Sequence, residues 1–205
     1  MYRIGISGGI ASGKSTVVSM LKELGAYVID CDELAREVVA PGSAGLAAVW
    51  RAFGEQAMNS DGTLNRRYVG DVVFQAPERK KELEGLLHPL IQQRIDELTE
   101  EVSKKNMTSI IFLDMPLLFE LKYFLYVDEA WLIYVDPQTQ LRRLMARNGF
   151  TESEALMRIN AQLPIDEKRS LAQVIIDNTG SLQDTEKQVR HQWDELAVRI
   201  HFQGD

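Results

Sequence analysis

Apolar positions along this chain switch between two periods, and the switches mark its elements. Ile4, Gly5, Ile6 and Ser7 form a short strand-like run ending in a glycine cluster. From Lys14 the spacing turns helical through Val17, Val18, Met20, Leu21 and Leu24, and Gly25 stands where a helix-ending glycine belongs. Tyr27-Val28-Ile29 reads as a second strand, stopped by Asp30. Strand, glycine loop, helix and strand within thirty residues make a βαβ unit, which predicts a parallel sheet with a right-handed crossover. Leu83, Leu86, Leu87, Leu90, Ile91, Ile95, Leu98 and Val102 mark one face of a long amphipathic segment, with a kink or break expected near His88 because Pro89 follows. The stretch from Pro41 to Lys105 is too long for an ordinary crossover and reads as a helical insertion between strands two and three.

Strands are predicted again at Ser109–Asp114, Ala130–Val135 and Gln173–Asp177. Asp136-Pro137 supplies an N-cap and a first-turn proline for a helix through Arg147, closed by Gly149. Thr151-Glu152-Ser153-Glu154 spells a capping box for the next helix. Val189, Trp193, Leu196, Ala197 and Ile200 give the last helix its stripe. Trp50, Trp131 and Trp193 are expected in the core or between helices. No internal repeat or low-complexity segment interrupts the pattern.

Composition narrows the function classes. The 205 residues are 45% hydrophobic and 26% charged, the mix of a globular protein with a sizeable core. Lysine and arginine number 23 against 30 acidic residues, a net charge of −7, which argues against a generally basic nucleic-acid binder but leaves room for a local anion pocket. Cys31 is the sole cysteine, so no internal disulfide forms and a reducing compartment is expected. Met1-Tyr2-Arg3 leads into a run too rich in glycine for a signal-peptide core. The most apolar stretch, from Ile110 to Val135, is cut by Asp114, Glu120, Lys122, Asp128 and Glu129, so no membrane span is expected. A cytoplasmic protein without membrane, nucleic-acid or obligate protein partner follows as the expectation.

Gly8-Gly9-Ile10-Ala11-Ser12-Gly13-Lys14-Ser15 matches G-x-x-x-x-G-K-[ST] in full, after a strand and before a helix. Glycines let successive backbone N–H groups turn inward on phosphate oxygens, and the following helix adds its positive end. Lys14 reaches the β- and γ-phosphates, and the Ser15 hydroxyl coordinates Mg²⁺. The chain is therefore expected to bind a nucleoside triphosphate with Mg²⁺. A guanine-nucleotide switch would carry N-K-x-D, which is missing, and Asp177-Asn178-Thr179-Gly180 matches D-x-x-G only by letters, after the last strand. Motor ATPases are usually larger, so a small-molecule kinase fits the length best.

Such a kinase needs a base near the acceptor and a mobile basic lid. Asp30-Cys31-Asp32 closes strand two, expected next to the phosphate loop, where ligands gather in parallel sheets. If the strand persists, both acids face one side; one holds metal-bound water and the other accepts a hydroxyl proton, or one caps a helix from Glu33 to Val39. Asp114 ends its strand in the manner of a metal-ordering acid. The segment from Arg142 to Arg169 holds six basic and four acidic residues, +2 on a chain otherwise at −9. Arg143 and Arg147 are i, i+4 and share a helix face; with Arg158 they are the candidates for clamping transferring phosphate, while Arg142 and Arg169 read equally well as surface charges.

With Asp30-Cys31-Asp32, Leu87-His88-Pro89-Leu90-Ile91, Pro116-Leu117-Leu118-Phe119-Glu120, the R-I-x-x-Q of Arg158–Gln162 and the I-D-N-x-G of Ile176–Gly180 in this order, the chain resembles the dephospho-coenzyme A kinase family over essentially its whole length. The resemblance implies an α/β fold of P-loop NTPase type: a five-stranded parallel sheet flanked by helices, with a helical acceptor-binding insertion at about 41–105 and a lid at about 142–169, around a core of 1–40, 106–141 and 170–205. It implies phosphorylation of the ribose 3′-hydroxyl of dephospho-CoA by ATP, the last step of coenzyme A synthesis; another nucleoside monophosphate or small-molecule kinase is the alternative. Asp32 matches the general base and Asp30 a helper. Gly8 through Thr16, with Arg143 and Arg147, match the triphosphate site. Asn178 and Gly180 match the loop skirting adenine, and His88, Pro116, Leu117 and Glu120 match segments lining the acceptor side. Three positions depart from the family's habit: Cys31 for alanine, Gln92 for arginine and Asn65 for aspartate. His88 reads as a structural hydrogen-bonder or an acceptor contact, and His191 and His201 as surface residues. No cluster has zinc-ligand spacing.

Overall fold

The computed structural model describes residues 1–106 and 110–201. Ser109, expected to open a strand, lies outside the described residues, as does the side chain of His201. The chain divides into two compact units: Met1–Ile29 with the described residues after position 109, and Asp30–Asn106.

In the first unit β1 (Tyr2–Gly8) leads through the glycine loop into α1 (Lys14–Glu23). That helix ends in a Schellman motif. Gly25, at φ 92°, donates to Lys22 O at 3.0 Å, and Ala26 donates to Leu21 O at 2.9 Å. The chain then enters β2 (Tyr27–Asp30). β3 (Ile110–Asp114), β4 (Glu129–Tyr134) and β5 (Val174–Asp177) complete a five-stranded parallel sheet in the order β2-β3-β1-β4-β5. β3 therefore separates β2 from β1, and the expectation that Asp30-Cys31-Asp32 closes a strand adjoining the phosphate loop is corrected. The first crossover skips a position that β3 fills later; sequential strands are spatial neighbours only about two-thirds of the time. Asp114, in register with Ile6, is the acid next to β1.

Strands with both faces covered read as continuous apolar runs, and these do: Ile110–Leu113 and Glu129–Ile133 are buried throughout. Trp131 is fully buried and meets Phe112 edge-on at 5.2 Å, while Trp193 lies across Phe112 at 6.3 Å. The buried Glu129 is satisfied by the Tyr2 hydroxyl, the Trp131 indole N–H and the Arg199 guanidinium.

The second unit holds α2 (Cys31–Glu37), α3 (Ala44–Phe53), α4 (Arg66–Gln75) and α5 (Pro77–Asn106). Val39, Val49, Phe53, Ala57 and Val69 form its core, lined by Leu83, Leu86 and Leu87 of α5. Trp50 is 43% exposed, against the expectation of burial, because α3 turns the stripe Leu46, Val49 and Phe53 inward and Trp50 falls beside it. α5 runs unbroken through Pro89. A proline inside a helix costs about 3 kcal/mol. Packing of the leucine face on one side and burial of Ile95 and Val102 further along outweigh that cost. Asn65 caps α4 by accepting from Tyr68 N at 3.1 Å, a duty asparagine performs as well as aspartate. Gln92 bonds Asp96 at 3.2 Å within α5.

In the first unit α6 (Pro137–Asn148) follows β4, then α7 (Glu152–Asn160), α8 (Ile165–Leu171) and, after β5, α9 (Leu182–His201). The Asp136 cap, the left-handed Gly149 and the reciprocal Thr151–Glu154 capping box are all present. Among the described residues, no helix is long and apolar enough to cross a membrane.

Candidate active site

The glycine loop hangs between the end of β1 and the start of α1. Gly13 stands at the helix N-cap with φ 86° and accepts from Thr16 N at 3.0 Å, so the first turn is tightly wound. No side chain caps this helix and no acid occupies its first turn, which leaves its leading N–H groups for an anion. A Cβ at Gly13 would lie 2.2 Å from Asn178 Nδ2, so this position admits only glycine on two counts, backbone and space.

Asn178 explains the second count. It is buried just past β5; its Nδ2 donates to Ser12 O at 2.7 Å and its Oδ1 accepts from Thr185 at 2.8 Å. The loop after β5 is thereby tied to the back of the phosphate loop. Two further ties come from side chains that sequence reasoning left without a role. Gln140 of α6 donates to Ile10 O at 2.9 Å, and Gln162 accepts from Ile10 N at 2.8 Å. Gln162 closes the R-I-x-x-Q string, but nothing in the spacing of α6 marks Gln140, which is buried there beside Thr139 and Leu144.

Beside the Asn178 tie lies a cavity of about 300 Å³, while Gln140 and Gln162 border a separate one with Gly9. Ala11 and Gly13 line the first from the loop, Thr16 from the first turn of α1, Arg143 from α6, Asn178 and Gly180 from the loop after β5, and Leu182 from the start of α9. Three distant stretches of candidate residues are thus brought together; Leu182, an exposed apolar side chain, joins them without having been singled out. Arg147 does not line the cavity. It sits one turn beyond Arg143, exposed, with its Nε on Asn148 Oδ1 at 2.8 Å. Arg158 lies over the Phe150 ring at 3.9 Å and donates to Glu154 O.

Lys14 forms a close ion pair with Asp114, and both are mostly shielded from solvent. The carboxyl end of β3 is held by Met115 N on Ile6 O at 3.0 Å and by Ser7 Oγ on Pro116 O at 3.0 Å. A magnesium ion bound with nucleotide phosphates needs only one or two protein oxygens. The exposed Ser15 hydroxyl in the first turn of α1 and the Asp114 carboxylate are a donor set of that kind. Among the described residues, no group of three or more histidine, cysteine or acidic side chains would cage a metal without such phosphates.

Of the residues matched to the acceptor side, Leu117 is exposed and Glu120 is engaged elsewhere. Lys168 of α8 is fully buried with its ammonium 2.6 Å from Glu120 Oε1, the oxygen that also accepts from Leu163 N at 3.3 Å. Lys168→Met is expected to leave that carboxylate poorly paired, costing about 2–3 kcal/mol because Glu120 keeps some solvent access. The midpoint in differential scanning calorimetry should fall by roughly 5–10 °C, and adding Glu120→Gln should restore part of it. An unchanged midpoint would show that the pair contributes nothing.

In the second unit Asp30 accepts from Glu33 N at 3.0 Å and caps α2. Because the helix begins at Cys31, β2 does not persist, and the two acids do not share a strand face as alternation suggested. Capping falls to Asp30, which leaves Asp32 exposed in the first turn of α2. His88 is half-buried within α5.

Known proteins resemble this chain over nearly its whole length. The family model for dephospho-CoA kinase matches residues 2–184. A dephospho-CoA kinase of Shouchella clausii is 43% identical over 97% of this chain and 99% of its own length. A crystal structure from Thermus thermophilus superposes with a TM-score of 0.78 at 37% identity, covering 95% of this chain and 97% of that one. The dephospho-CoA kinase of Campylobacter jejuni does so with a TM-score of 0.69 at 28% identity, covering 97% and 98%. A match that runs from the first strand into the last helix leaves no part of the braced phosphate loop unaccounted for, and the chain belongs to the dephospho-CoA kinase family.

Proposed function

We propose that this chain transfers the γ-phosphoryl group of ATP to the ribose 3′-hydroxyl of dephospho-CoA, giving CoA and ADP. The observation that carries the reading is the cavity where the phosphate loop, Arg143 and the Asn178–Gly180 loop converge, in a chain of this family. The loop N–H groups and Lys14 hold the triphosphate, and Arg143 balances charge on the transferring group. Asp32 takes the proton as the hydroxyl oxygen attacks. A bond from that oxygen to the γ-phosphorus forms while the bond to the β–γ bridging oxygen breaks, and ADP leaves. Mg²⁺ held by Ser15, with Asp114 nearby, would neutralise phosphate charge. Arg147 and the segment from α7 to α8 close over the phosphates and exclude water. His88, Pro116, Leu117 and Glu120 belong to the acceptor side. The second unit supplies the CoA-binding region. The enzyme works in the cytoplasm on small-molecule substrates; its single cysteine fits a reducing compartment.

The test is coupled ADP release with Mg·ATP and a panel of dephospho-CoA, AMP, CMP and shikimate, with mass spectrometry to locate the new phosphate. Release stimulated by dephospho-CoA alone, with phosphate on the 3′-oxygen, is expected. Stimulation by another acceptor in preference would replace this reading with that of a different small-molecule kinase.

A further inference from the structure

We propose that Gln140 is a positioning residue that sets the Ile10–Ala11 peptide plane so that the Ala11 N–H faces the nucleotide phosphates. The inference rests on the nucleotide site proposed above. Gln140 is 3% exposed, and its backbone is anchored one turn into α6 by its own N–H on Asp136 O at 2.9 Å. From there its side-chain amide donates to Ile10 O. In a trans peptide the carbonyl and the N–H point opposite ways. With Ile10 O turned toward Gln140, the Ala11 N–H is turned away from it, and Ala11 lines the cavity.

The orientation is not one that the loop adopts unaided. Ala11 has φ 60°, the left-handed region that a residue with a Cβ disfavours. Rotating the 10–11 peptide by half a turn would bring φ to about −120°, a relaxed value. Something must therefore hold the strained state, and Gln140 is the group bonded to the carbonyl that would swing. Gln162, on Ile10 N, holds the preceding peptide in the same way. Gly9 completes the device, since a Cβ there would sit 2.5 Å from Gln140 Nε2 and expel the amide.

Gln140→Leu keeps the volume and removes the donor. Titration calorimetry with Mg·ADP should show affinity at least tenfold weaker than wild type, and KM for ATP should rise while KM for dephospho-CoA stays put. Ala11→Gly in the Gln140→Leu background should recover most of the loss, because glycine adopts the left-handed conformation without penalty and the bond is no longer needed. Rescue separates positioning from simple packing of α6, which Ala11→Gly would not repair. In wild-type protein, ¹⁵N spectroscopy should move the Ala11 amide proton downfield on adding Mg·ADP, a readout independent of whether the variants fold. Wild-type affinity in Gln140→Leu, absence of rescue, or an unmoved Ala11 amide would each overturn the proposal while leaving the nucleotide site intact. Failure of wild-type protein to bind Mg·ADP would instead remove the site itself, and this proposal with it.

Discussion

Asp32→Asn is expected to lower turnover with saturating ATP and dephospho-CoA by about 10²–10⁴-fold, the contribution of a positioned general base. The amide keeps the shape of the carboxylate but cannot accept the hydroxyl proton at neutral pH. Folding should survive the change. α2 takes its cap from Asp30, whose Oδ1 receives Glu33 N, so the helix start does not depend on the second acid. Asp32 is exposed in the first turn, where losing its charge removes only a small interaction with the helix dipole. ADP affinity should therefore stay close to wild type while the rate collapses. The check is coupled ADP release alongside calorimetric titration of Mg·ADP. Near-normal turnover would take Asp32 out of the role.

Lys14→Met should cost about 10²–10³-fold in the chemical step, the usual loss when one preorganised positive group is taken from a phosphoryl-transfer site. The ammonium stands at the first position of α1 and is paired with Asp114 across the ends of β1 and β3. Its removal both withdraws a charge from the phosphates and leaves the Asp114 carboxylate without its partner lysine. KM for ATP should rise with the fall in rate, unlike the Asp32 variant. Lys14→Arg should not rescue, because a planar guanidinium does not replace a compact ammonium in a fitted loop. Single-turnover quench at saturating ATP would measure the step directly. A rate within a few fold of wild type would mean that Lys14 does not act on the transferring group.

Local features are legible in the sequence. The helix-ending Gly25, the Asp136-Pro137 start, the Thr151–Glu154 box and the left-handed Gly149 are all set by backbone conformation and hydrogen bonds within a few residues. Strand edges moved by a residue: the run read as starting at Ala130 begins at Glu129, and the one read from Gln173 begins at Val174. In sequence Glu129 reads as a charge that interrupts the apolar stretch, because a buried acid looks like a surface residue until its three partners arrive from β1, β4 and α9.

The features that needed the fold depend on partners far along the chain. Pro89 predicts a kink or a break from its own chemistry, and α5 is not broken there, because its leucine face is packed. Arg143 and Arg147 are equivalent by spacing, and only the cavity tells them apart. Gln140 and Lys168 carry no signal at all, since their partners are 130 and 48 positions away.

From residue order alone came the phosphate loop with its flanking strand and helix, which rest on short-range geometry that a few side chains dictate, and the family, which rests on the order of motifs spread from Asp30 to Gly180. Tertiary structure alone decided that β3 lies between β1 and β2, that Asp114 faces Lys14, and that two glutamines and Asn178 brace the loop. The reason is physical: strand order and buried polar pairing are settled by which distant surfaces satisfy one another in the packed core, and no local propensity encodes that choice.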